Sequence, residues 1–118
     1  MIGRFYELDI DISILKQNVI NTKFLFHKDD INSSFISTKI LNKGIPIDLE
    51  NIDIILVHKE GNNKVNFYEI PKENIKDNVV VVPLPFEEKN EEGINTFALL
   101  LKTDEQSLYT QKYSYGII

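Results

Sequence analysis

Apolar and polar residues alternate with a period of two along most of the chain, the spacing that lays one side of an extended strand on a core and the other in water. Tyr6, Leu8, Ile10, Ile12 and Ile14 make the apolar row of a first strand, with Glu7, Asp9, Asp11 and Ser13 as its polar row. The alternation lapses over residues 15–22, which read as a connector. Phe24 and Phe26 open a second short strand that stops at His27-Lys28-Asp29-Asp30. Over residues 34–41 a third strand sets Ile36, Thr38 and Ile40 against Ser37 and Lys39.

Asn42-Lys43-Gly44 turns the chain, because Gly44 can take positive φ without steric cost. Pro46 offers no N–H to a ladder, so residues 45–49 are expected to cross between sheets or run along an edge. Residues 52–57 are almost continuously apolar, as in a strand with little water on either face. The loop over 60–64 predicts an antiparallel return over 65–70. Residues 71–76 predict one helical turn, and 78–84 a valine strand that Pro83 places near an edge or an end. An exposed acidic connector follows over 85–93. In Gly93–Lys102, Phe97, Leu99 and Leu101 face one way and Ala98 and Leu100 the other. Thr103-Asp104-Glu105-Gln106 then turns the chain into a last strand over 107–117. No long stretch keeps a helical period. About seven or eight short antiparallel strands with regular turns predict an all-β fold, an immunoglobulin-like or Greek-key β-sandwich.

Composition narrows the function classes. At 118 residues the chain fits one domain, 1–118, large enough to bury its own core. There is no cysteine, which excludes disulfides, thiolate zinc sites and a cysteine nucleophile. A net charge of −5 with no basic cluster argues against nucleic acid as a partner. The chain opens without a signal-peptide pattern and holds no apolar run near the roughly 20 residues that span a bilayer, so no membrane insertion is expected. Abundant Ile, Asn and Lys beside a single arginine, Arg4, and a single alanine, Ala98, suit an A/T-rich bacterial or phage genome.

Candidate chemistry is sparse. His27 and His58 are the only histidines, and neither has the spacing of a metal set or a catalytic triad, so a packing role is the plain reading. Asp29, Asp30 and Asn32, and then Asp48, Glu50 and Asp53, are oxygen-rich. Neither has the calcium-loop pattern, and Asx turns explain both. Glu87, Glu88, Glu91 and Glu92 share one stretch, which reads as a solvated loop and not as the facing carboxylates of a glycosidase. Asn32-Ser33-Ser34 fits a glycosylation acceptor that a bacterial product would not use. Tyr109, Tyr113 and Tyr115 share strand parity and would line one face of the last strand. Such a row could stack on sugars, form a protein interface, or simply pair across strands within the sheet. No residues point to a catalytic, metal or cofactor site.

The order of parts resembles the N-terminal domain of the phage baseplate upper protein family, found in tails of phages and prophages of Gram-positive bacteria. The likeness rests on the lead-in Phe26-His27-Lys28-Asp29-Asp30-Ile31-Asn32-Ser33 and the connector Asn42-Lys43-Gly44-Ile45-Pro46-Ile47-Asp48-Leu49. It continues through the turn His58-Lys59-Glu60-Gly61, the run Asn78-Val79-Val80-Val81-Val82, and Gly93-Ile94-Asn95-Thr96-Phe97-Ala98-Leu99. The resemblance implies a non-enzymatic structural module without cofactors, the attachment domain of a longer protein. Its partners would be further copies of itself and other tail or baseplate proteins. It would be made in the bacterial cytoplasm and end in the virion tail, touching host surface glycans only indirectly. From the residues themselves, a carbohydrate-binding sandwich with a tyrosine-lined face stands as the alternative.

Overall fold

A computed structural model describes residues 2–61, 64–85 and 93–118. Apart from a 3-10 turn at Lys72–Asn74, its elements are strands: β1 (Arg4–Asp11), β2 (Ile20–Phe26), β3 (Ser34–Asn42), β4 (Ile45–Pro46), β5 (Asp53–Glu60), β6 (Val65–Glu69), β7 (Ile75–Lys76), β8 (Val79–Pro83), β9 (Gly93–Lys102), β10 (Ser107–Tyr109) and β11 (Tyr113–Ile117). They form two mixed sheets. The first runs β1-β3-β8-β7, with β4 on β3; the second runs β2-β11-β9-β5-β6, with β10 on β9. The sheets pack face to face as a sandwich, and no helix among the described residues is long and apolar enough to cross a membrane.

The core is the set of inward rows that the alternation specifies. Ile36 and Ile40 from β3, Val80 and Val82 from β8, Ile54 and Leu56 from β5, and Phe97, Leu99 and Leu101 from β9 meet between the sheets. Burying each such side chain stabilises the fold by about 1.5–3 kcal/mol. At one side of the sandwich β1 closes on β2 through aromatics: Tyr6 stacks on Phe24 at 4.5 Å and meets Phe26 edge-on at 5.1 Å. The Tyr6 hydroxyl donates to the Leu25 carbonyl at 2.8 Å, which ties the two sheets together at this edge.

The expectation of purely antiparallel pairing is corrected in two places. β1 pairs with β3 in parallel, and β2 pairs with β11 in parallel. After β1 the chain leaves for the second sheet, lays down β2, and returns to place β3 beside β1, so the two strands enter from the same end. Parallel neighbours need a long crossover, and here the excursion through β2 supplies it.

The Gly44 connector does both things expected of it. Lys43 and Gly44 have φ of 52° and 78°, so the two form a tight two-residue hairpin between β3 and β4, the mirror-image turn whose twist matches its strands. Asp11 at the end of β1 holds it: its carboxylate accepts from the Lys43 N–H at 3.0 Å and the Gly44 N–H at 2.8 Å. Those bonds and two from Ser13, the larger influence, hold the Asp11 carboxyl down to about 2. Beyond Pro46 the chain crosses to the second sheet, and Leu49 plugs the core on the way.

Candidate functional site

The candidates that fall among the described residues have definite places. His58 lies on the inward row of β5 with Ile54 and Leu56, 3% exposed. Its Nε2 sits 2.6 Å from the Tyr115 hydroxyl. Asn95 donates to the same hydroxyl at 3.3 Å and accepts from the Gly61 N–H at 3.1 Å. A neutral imidazole can make that bond in either tautomer, as acceptor of the hydroxyl hydrogen or as donor to its oxygen. Burial favours the neutral ring: it lowers the His58 pKa to about 4 and raises that of Tyr115. This polar cluster is enclosed and hydrogen-bonded, so it braces β5, β9 and β11 from inside.

The oxygen-rich loops are turns. Asp30 accepts from the Arg4 guanidinium at 3.2 Å and from the His27 N–H at 3.3 Å, while Asp29 lies 3.7 Å from the His27 ring. Asp48 accepts from the Glu50 N–H at 2.9 Å, and Asp53 pairs with Lys72 at 3.0 Å. Among the described residues no group of three or more His, Asp or Glu side chains could hold a metal ion. Glu87, Glu88, Glu91 and Glu92 lie outside the described residues.

The shared face assigned to Tyr109, Tyr113 and Tyr115 is corrected. Tyr113 and Tyr115 are buried in the core, at 6% and 1% exposure, whereas Tyr109 is 54% exposed on the outer face of the sheet. The cause is a bulge. Tyr109 stands opposite Leu100 and Tyr113 opposite Phe97, so the last strand advances four residues while β9 moves back three. One extra residue reverses the parity, and the tyrosines after it turn inward. Thr110 and Gln111 at the bulge are buried although polar. The Thr110 hydroxyl accepts from the Leu99 N–H at 2.9 Å.

Gln111 does more. Its Oε1 accepts from the Lys16 N–H, and its Nε2 donates to the Asn18 carbonyl at 2.9 Å and to the Lys112 carbonyl at 3.1 Å. That pins the connector between β1 and β2 onto the outer face of the second sheet. The pinned connector becomes the wall of an apolar groove of about 640 Å³.

The groove's floor is Val57 of β5 and Ala98 of β9. Val65 and Phe67 of β6 form one wall, and Leu15 and Tyr109 stand on the other. Phe67 and Leu15 are 59% and 75% exposed, an unusual amount of apolar surface to leave in water at one place. The described charges lining it are Lys16, Lys59 and Lys112, all basic on a chain of net charge −5. The groove offers apolar contact area with a basic rim, which is binding chemistry.

Of these residues the sequence pointed only to Tyr109. Val57 and Ala98 carried a weak signal, since their strands are apolar on both parities. Leu15 and Gln111 carried none, because their roles depend on a bulge that neither glycine nor proline announces.

No protein-family model matches the chain, and no curated protein matches it in sequence. Among solved structures, the chain is similar to the N-terminal domain of phage TP901-1 ORF48, at 15% identity and a TM-score of 0.69. The match covers 99% of this chain and 98% of that one, so the two share a fold over their full length.

Proposed function

We propose that this chain is a non-enzymatic structural module of a phage or prophage tail baseplate, which attaches the host-recognition apparatus through protein–protein contacts. The observation that carries the reading is the end-to-end fold match with a phage domain, 99% of one chain on 98% of the other. The sequence resemblance to the baseplate upper protein family points the same way. The surface chemistry supports it too: the prominent open feature is an apolar groove with a lysine rim, suited to holding another protein.

The carbohydrate-binding alternative loses its main support, since two of the three tyrosines it would use are in the core. The test is a pull-down of the chain against each tail protein encoded beside it, with a glycan array in parallel. Stable capture of a tail protein is the expected result. Failure to bind any of them, together with sugar binding abolished by Tyr109→Ala, would overturn the proposal in favour of the alternative.

A further inference from the structure

We infer that the groove on the second sheet receives the outer face of β1 from a second copy of this chain, so that copies join head to tail. This deepens the attachment reading and rests on it for its biological setting.

The two surfaces are complementary in chemistry and lie on opposite outer faces of the sandwich. The groove is apolar and its described charges are Lys16, Lys59 and Lys112. On the other side, β1 is the edge strand of the first sheet and turns Phe5, Glu7 and Asp9 outward, all exposed. Phe5 is 51% exposed and stacks on Phe35 at 4.7 Å. Asp9 stands beside Lys39 in the ladder, but Glu7 stands beside the uncharged Ser37, so its charge is not offset across the strand. An exposed aromatic ring followed by a carboxylate on an edge strand is what a lysine-rimmed apolar groove can take.

Size agrees. From β6 to β10 the second sheet spans three strand spacings of about 4.8 Å, roughly 14 Å, wide enough for one strand with its side chains. Phe5 supplies the apolar filling, and Glu7 and Asp9 meet the lysines. Because donor and acceptor faces differ, the contact is heterologous, and repeating it gives a ring if the rotation closes.

The experiment exploits that asymmetry. Two variants are made, one with Lys16→Glu and Lys112→Glu, the other with Glu7→Lys and Asp9→Lys; all four sites are exposed, and circular dichroism checks that each variant folds. Sedimentation velocity on the wild type should show concentration-dependent association that weakens as salt rises. Each variant alone should associate more weakly by more than about tenfold, and an equimolar mixture should recover, because each reversed face now matches the other variant's. A wild type that stays monomeric at its solubility limit overturns the inference, as does a mixture no better than its parts. The pull-down against tail proteins separates the two readings. A monomer that still captures a tail protein sinks only the self-docking, whereas mutual rescue without any tail partner sinks only the tail assignment.

Discussion

Each face of the second sheet, the inner one otherwise apolar, departs from the usual arrangement in one place. Its inner face, against the core, carries a hydrogen-bonded polar cluster of His58, Tyr115 and Asn95. Its outer face, toward water, carries Val57, Phe67 and Tyr109 around an open groove. A sheet that had only to fold would place the apolar residues inside and leave the outside polar. The inner polar cluster is closed on itself and serves stability; the outer apolar residues are left unpartnered and are the part available to another molecule. Residues that hold the fold and residues that can bind therefore lie on the two sides of one strand set.

The sharpest way to break the inner side is to remove Tyr115, which is 1% exposed and packs edge-on against Phe26 at 5.5 Å. Tyr115→Ala should cost about 3–5 kcal/mol in chemical denaturation, the range for deleting a buried aromatic ring. Tyr115→Phe keeps the ring and removes only the hydroxyl, leaving His58 Nε2 and Asn95 without that partner, so it should cost about 1–3 kcal/mol. A Tyr115→Phe variant as damaging as Tyr115→Ala would mean the polar bonds and not the packing dominate.

Acid should act on the same cluster and spare the groove. The His58 pKa is lowered from 6.5 to about 4 in the fold. Above pH 6.5 the ring is neutral in both states and contributes no pH dependence. As pH falls below that value the unfolded chain takes a proton that the folded chain refuses, so stability declines down to about pH 4 and the contribution then levels off. The full loss is about 3 kcal/mol by linkage. Urea titrations at several pH values check it. His58→Gln should flatten the slope in this window, and an unchanged slope would assign the acid sensitivity elsewhere.

Between the two sides stands Gln111, which is buried at the bulge and clamps the connector that walls the groove. Gln111→Ala strips the partners from the Lys16 N–H and the Asn18 carbonyl, and should cost about 1–3 kcal/mol. Faster amide exchange over residues 15–19 is the accompanying sign that the wall has loosened. Slow exchange there would show that the connector is held by other contacts.

What the sequence revealed follows from what local patterns encode. The inward rows of β3, β5 and β9 were legible because a period of two and β-branched residues act residue by residue. The Lys43-Gly44 turn was legible because positive φ selects glycine. The parallel pairings were not, since β1 and β3 are neighbours only after an excursion through the other sheet, and alternation is silent about which strand lies alongside. The groove was the least legible part. Tyr109, Tyr113 and Tyr115 have the same parity on an unbroken strand, and the extra residue near Gln111 that divides them leaves no mark beyond the polar run Thr110-Gln111-Lys112.

The gentlest intervention tests the outer side alone. Phe67 is exposed on the edge strand β6 and touches the groove, not the core. Phe67→Thr keeps a residue favourable to strands, so stability should move by no more than about 0.5 kcal/mol, as at most surface sites. If the groove binds by apolar contact, the same change should weaken association, because a ring at the centre of a contact supplies much of its energy. The pairing of results carries the meaning: thermal unfolding unchanged with binding lost assigns Phe67 to recognition. Binding unchanged would move the contact away from the groove, and a large stability loss would show that Phe67 belongs with Tyr115 among the residues that hold the fold.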